Sequence, residues 1–133
     1  MKKTLIISEA GVNHNGDIKK AIKLVDVAKS CGANIIKFQT YTSNEIVIPN
    51  APKAKYQIID DLKKENMYQM LKKYELSFKN FEILKKYCKK KKIEFLSSGF
   101  DKESILFLKK LGMKRYKIPS GEINNFPLLE LIS

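Results

Sequence analysis

The chain has 133 residues, 44% of them apolar, and a formal net charge of +12. That is enough apolar material for the core of one compact domain and too much for a disordered segment. No apolar run approaches the ~18–20 residues of a membrane span, and the basic-then-apolar start Met1 to Ile7 is too short for a secretion signal before Glu9 interrupts it. Cys31 and Cys88 show no metal-ligand spacing and read as reduced thiols of a cytoplasmic protein. Much of the positive excess lies in helix-like segments, above all Lys85-Lys86 and Lys89 to Lys92. Such lysines read as a solvated outer face, and no nucleic-acid motif with interleaved aromatics accompanies them.

Four short strand-like runs stand out, and each is followed by helical periodicity. The first is Thr4 to Ala10. Asp17 then caps a helix carrying Ile18, Ala21, Ile22, Val25 and Ala28 at helical spacing, closed by Gly32. The second is Asn34 to Thr40. It leads into an insertion from about Tyr41 to Leu76, with Pro49 and Pro52 and a helical stretch near Asn66 to Tyr74. The main helix of that unit runs from about Ser77 to Lys91, with Phe78, Phe81, Leu84 and Cys88 inward. The third run is Ile93 to Ser98, followed by a helix capped at Asp101, carrying Ile105, Leu108 and Leu111 and closed by Gly112. The fourth is Arg115 to Pro119, after which Asn124 or Asn125 precedes Pro127 in a first helical turn.

Four β-α units in a row imply a parallel sheet with right-handed crossovers. Two architectures fit: an open doubly wound sheet, or the N-terminal half, about four units, of a (β/α)8 barrel, which needs ~250 residues. The chain stops at Leu131-Ile132-Ser133 without a C-cap signal. That ending favours part of a barrel over a small, complete flavodoxin-like domain that binds anions without catalysis.

The charges that interrupt the apolar strands carry the functional reading. Glu9 follows Leu5, Ile6 and Ile7, Lys37 sits between Ile36 and Phe38, and Lys117 between Tyr116 and Ile118. All come late in their strands, and strand carboxyl ends are where ligands bind in both architectures. By alternation Lys37 shares a face with Ile35 and Gln39. A lysine in such a place is costly unless an anion or a carboxylate meets it. Glu9 pairing with one lysine is the simplest explanation for any single strand. Charges in three of four strands, with Gln39, Ser98, Ser120 and Glu122 also at strand ends, favour a site for a small, highly charged phosphate or carboxylate ligand. His14, the single histidine, reads as a hydrogen-bonding turn residue in Asn13-His14-Asn15-Gly16, and Tyr56-Gln57 as an exposed loop or a lid.

Four segments together resemble the sialic acid synthase family, and its bacterial N-acetylneuraminate and legionaminate branch in particular. They are Ile6 to Asp17, Ile36-Lys37-Phe38-Gln39-Thr40, Phe95 to Asp101, and Lys117-Ile118-Pro119-Ser120-Gly121-Glu122. The resemblance implies a synthase that joins phosphoenolpyruvate to the open-chain aldehyde of an N-acetylmannosamine-type sugar, releasing phosphate by C–O cleavage. It implies that Lys37, Ser98, Lys117 and Ser120 hold phosphoenolpyruvate. By the same resemblance Glu9, Gln39 and Glu122 would face the sugar, Glu122 would handle a proton near the reacting centre, and Phe100 would wall the pocket. It further implies a homodimer and a Mn²⁺ or Mg²⁺ ion held by two histidines of later strands. Neither those strands nor the family's antifreeze-like C-terminal domain is in residues 1–133, so no residue here is assigned to the metal and the chain by itself is expected to be inactive. One departure is local: Gly99 stands where the family's Ser-Thr-Pro-Phe-Asp has proline, which is expected to loosen that turn.

Overall fold

The computed structural model describes residues 4–54 and 65–133. The expectation for Tyr56-Gln57 lies outside the described residues. Three parallel strands, β1 (Ile7–Gly11), β2 (Ile35–Thr40) and β3 (Glu94–Gly99), form one sheet in the order β1-β2-β3. Ile7 pairs with Ile35 and Glu9 with Lys37, and Gln39 pairs with Ser98 across the next ladder. Sequential order without reversal is the order of a barrel wall and not of a flavodoxin-like sheet, whose second strand lies outside its first. The architecture is α/β, consistent with the N-terminal half of a (β/α)8 barrel.

The helices start where local chemistry says they should. In α1 (Ile18–Ser30) the Asp17 carboxylate accepts from the Lys19 N–H, and Ala21, Val25 and Ala28 are buried at helical spacing. In α3 (Met67–Tyr74), which follows the short α2 (Ser43–Ile46), Asn66 and Gln69 form a reciprocal capping box. Ser77 caps α4 (Phe78–Lys91), Asp101 caps α5 (Lys102–Lys110), and Asn125 caps α6 (Phe126–Ile132) with proline in its first turn. Gly32 and Gly112 both take φ +79° just past a helix end, which a side chain would resist.

The core lies between the sheet and its crossover helices. Phe38 and Phe95 stack from adjacent strands at 6.0 Å, Phe81 of α4 meets Phe95 edge-on at 6.4 Å, and Leu84, Cys88 and Val25 close around them. Phe78 is only half-buried and stacks face to face on Phe107 of α5, 4.3 Å between centroids, so it joins two helices instead of entering the core. Burial holds the Cys88 thiol well above its ordinary range, as expected of a structural cysteine. Lys86, Lys89, Lys90 and Lys92 are exposed, Lys91 pairs with Asp26, and Lys85 donates to the Leu111 carbonyl. Among the described residues, no helix is long and apolar enough to cross a membrane.

The Arg115–Pro119 run differs from expectation: it makes no strand pairing. Its alternation, Tyr116 and Ile118 against Lys117, is strand-like, but a strand needs a ladder. On β3 the Ser97 N–H is instead donated to the Met113 sulfur at 3.3 Å, and Arg115 is held to Glu94 by an ion pair at 2.8 Å. The segment thus follows β3 through side chains.

Candidate functional site

The carboxyl ends of β1, β2 and β3 bring Glu9, Lys37, Gln39 and Ser98 onto one face of the sheet. Lys37 is 9% exposed, and its ammonium pairs with the Glu9 carboxylate, whose side chain is half exposed. The pairing follows from register, since the two residues sit opposite each other just before a β-bulge between Glu9 and Gly11. Gly11 takes φ +51° there, and a Cβ on it would meet the Glu9 carboxylate at 3.4 Å. Ser98 is 2% exposed and its hydroxyl has no hydrogen-bond partner among the described residues. An orphaned buried hydroxyl on the same face as a buried lysine suits an incoming anion.

Loops after the strands build the rest. Gln39, Phe100 and Glu122 line a cleft of about 560 Å³ together with Tyr41, Met67 and Leu71. Tyr41 meets Phe100 edge-on at 6.4 Å and donates its hydroxyl to the Leu71 carbonyl at 3.0 Å. Burial, with the Glu75 carboxylate nearby, raises the Tyr41 pKa, so the phenol stays a donor. Glu122 lies in the short 3-10 turn Ser120–Glu122, half-buried, and accepts from the Asn125 side chain at 2.7 Å. Lys117 and Ser120 are exposed, and neither makes a hydrogen bond or ion pair to Lys37, Gln39 or Ser98.

Two supports were not anticipated from the sequence. The Asp101 carboxylate accepts from the Thr42 N–H at 2.9 Å and from both the N–H and hydroxyl of Ser104 at 2.7 Å. It thereby joins the loop after β3 to the loop after β2, the two that carry Phe100 and Tyr41. Glu75 accepts from the Ser43 N–H and hydroxyl, at 2.9 and 2.6 Å, and from Lys72 at 2.9 Å. Burial alone would raise its pKa, but those hydrogen bonds together hold it below the ordinary carboxylate range. The pair ties α2 to the end of α3 and so sets the cleft's outer wall. Neither Asp101–Thr42 nor Glu75–Ser43 has a periodic signal. The N-cap spacing of Asp101 and Ser104 was the one visible clue.

His14 is a turn residue, as its context suggested. Its Nδ1 accepts from the Gly16 N–H at 3.1 Å, the ring is 1% exposed, and burial pushes its pKa down to about 4 against the raising effect of Asp17. Gly16, at φ +74°, packs so closely on the Lys73 carbonyl that a Cβ would stand 2.4 Å from it. The His14 turn is thus a seat for the end of α3. Among the described residues no three His, Cys, Asp or Glu side chains converge as metal ligands.

A family model described as the NeuB family matches residues 24–133. The chain belongs to the NeuB family. It is similar to the N,N'-diacetyllegionaminic acid synthase of Campylobacter jejuni, 47% identical over the whole chain and 40% of that protein. It is also similar to the synthase of the same name from Legionella pneumophila, 48% identical over 94% of the chain and 35% of that protein. The N-acetylneuraminic acid synthetase of Leptospira borgpetersenii, solved in complex with citrate, superposes with a TM-score of 0.78 at 33% identity, covering 98% of the chain and 41% of the solved protein. This NeuB-family chain spans about two fifths of the length of the relatives it matches, and those relatives are synthases of sialic and legionaminic acids.

Proposed function

We propose that this chain is the phosphoenolpyruvate-binding half of a nonulosonic acid synthase. Phosphoenolpyruvate, an N-acetylmannosamine-type sugar and water would give the nine-carbon acid and inorganic phosphate. The observation that carries this reading is the pairing of a buried Lys37 with the orphaned hydroxyl of Ser98 on one sheet face, at the strand ends. Among the described residues a lysine so placed is compensated by Glu9 alone, and a phosphate or carboxylate arriving beside Ser98 would complete the set. The binding of citrate, a polyvalent anion, by the Leptospira relative supports an anion site in this fold.

Lys37, Ser98, Lys117 and Ser120 would hold the phosphate and carboxylate of phosphoenolpyruvate. When the anion enters, Lys37 turns its charge from Glu9 towards it, leaving Glu9 to a sugar hydroxyl. Gln39 and Glu122 face the sugar from the cleft, and Phe100 excludes water from one side. The enol carbon attacks the aldehyde carbon, and the aldehyde oxygen takes a proton. Water adds to the resulting cation, and the C–O bond to phosphate breaks. Glu122, oriented by Asn125, is placed to move a proton at that centre. The Mn²⁺ or Mg²⁺ ion of the resemblance has no fitting ligand set among the described residues: the one histidine of the chain has Nδ1 occupied and its other nitrogen buried. The remaining half-barrel, the antifreeze-like domain, the homodimer and a cytoplasmic location belong to the same proposal.

The test is phosphate release from phosphoenolpyruvate by the full-length protein with N-acetylmannosamine-type sugars and a divalent ion, beside calorimetric phosphoenolpyruvate binding. Lys37→Met is expected to weaken that binding by about 30-fold or more. Unchanged binding in Lys37→Met would overturn the assignment.

A further inference from the structure

Past β2 and β3 the chain parts into two loops that line the cleft, and one carboxylate spans them. The last backbone rung is the Phe100 N–H donated to the Thr40 carbonyl at 3.2 Å. A continued parallel ladder would next bring the Thr42 N–H to the Phe100 carbonyl. Thr42 donates instead to Oδ2 of Asp101 at 2.9 Å, and the Ser104 hydroxyl donates to the same oxygen at 2.7 Å. The other oxygen, Oδ1, caps α5 by accepting from the Ser104 N–H at 2.7 Å. Capping and bridging thus fall to different oxygens of one side chain, 6% exposed. A cap needs only Oδ1, and serine or asparagine would serve it as well. Oδ2 is left with the bridge.

Two aromatic rings depend on that bridge. Tyr41 precedes Thr42 and Phe100 precedes Asp101, and the rings meet edge-on at 6.4 Å. Phe100 lines the cleft beyond Gln39 and also a second cleft, of about 550 Å³, with Asp101 and Leu128. A ring bordered by two clefts takes its place from its backbone and from Tyr41. Resting on the proposed synthase reading, we propose that Asp101 is a positioning residue for the acceptor sugar: through Thr42 it holds Phe100 against Tyr41 and so fixes the width of the cleft in which the sugar reacts. The phosphoenolpyruvate side does not depend on it. Lys37 and Ser98 lie within the paired strands, where the ladder itself sets the spacing.

The experiment uses Asp101→Ser in the full-length protein, which keeps the cap of α5 and is too short to reach Thr42. The kcat/KM for an N-acetylmannosamine-type acceptor is expected to fall about 10-fold or more, while the calorimetric Kd of phosphoenolpyruvate stays within about two-fold. Ser104→Ala, which leaves both N–H bonds to Asp101, is expected to keep the wild-type kcat/KM. Loss of a cap alone would lower the Tm without separating the two substrates. Should the serine variant not fold, Asp101→Asn carries the same expectation, since its one acceptor oxygen serves the cap and its NH₂ faces the Thr42 N–H. In either variant the Thr42 and Phe100 amides are expected to exchange about 10-fold faster or more, with Val25 and Ala28 of α1 unchanged. An unmoved acceptor kcat/KM, or equal weakening towards both substrates, overturns the proposal. If the wild-type protein releases no phosphate with any acceptor, the synthase reading fails. Amide exchange then decides the positioning role by itself: acceleration confined to the two loops upholds it, and wild-type protection at Thr42 and Phe100 overturns it.

Discussion

His14 makes the stability of this chain depend on pH in a window that can be located in advance. Its Nδ1 accepts from the Gly16 N–H, so the ring carries its proton on Nε2, and the ring is buried. A second proton would have to enter at Nδ1, against an N–H that already points there. Burial therefore pushes the folded pKa down to about 4, from 6.5 in an open chain. Above about pH 6.5 both states are neutral and the full stability is present. As pH falls from there, the unfolded chain takes up a proton that the folded chain refuses, and stability drops by about 1.4 kcal/mol per unit until about pH 4. The ceiling is roughly 3 kcal/mol, and relaxation of the turn brings the expectation nearer to about 2 kcal/mol. Urea unfolding at pH 7.5 and 4.5 measures it, with His14→Gln as the reference that lacks the titration. Since His14 is the one histidine of the chain, a single ring resonance reports its pKa directly. An NMR pKa near 6.5, or an equal loss of stability in His14→Gln, would refute the reasoning.

Three further outcomes follow from close contacts. Gly16→Ala places a Cβ 2.4 Å from the Lys73 carbonyl at a positive φ and is expected to cost about 2–4 kcal/mol, with α3 losing amide-exchange protection first. Glu75→Gln keeps the shape but weakens the charge-assisted bonds to Ser43 and Lys72, at about 1–2 kcal/mol by thermal unfolding. Its wild-type contribution is present above the ordinary carboxylate pKa and lost as pH falls through the lower folded value, a window below that of His14. Gly99→Pro, which restores the residue usual in the resemblance, is expected to destabilise by about 1–3 kcal/mol in urea. A Cβ there would stand 2.8 Å from the Ile105 side chain and 3.3 Å from its N–H. Glycine at 99 thus allows close packing of α5 on β3, where the sequence suggested only a looser turn.

What could be read in advance was whatever repeats with the period of an element. Alternation put Lys37 and Gln39 on one face, and the parallel register brings Glu9 to Lys37 and Ser98 to Gln39 as that alternation requires. Caps at Asp17 and Asp101 fall where their short side chains precede apolar periodicity. Contacts between residues far apart in sequence were not legible. Ser43 and Glu75 are 32 positions apart, and nothing in either neighbourhood announces the other. Lys117 had a strand-like context, yet a strand is a property of two segments. With Ser97 satisfied by a sulfur, the run around Lys117 stays unpaired and its side chain exposed. Lys37 is found with Glu9, the partner its register supplies.

The sheet order has a kinetic side. Each strand lies beside its predecessor, so a ribosome releasing the chain from its N-terminus would see the sheet grow at one edge, every addition a local one. The opposite edge is β1, where Leu5, Ile6 and Ile7 are each about half exposed. Among the described residues it is unpaired, and a segment following β3 that covers it must return over the greatest separation in sequence, a slow closure during which a strand edge is open to association.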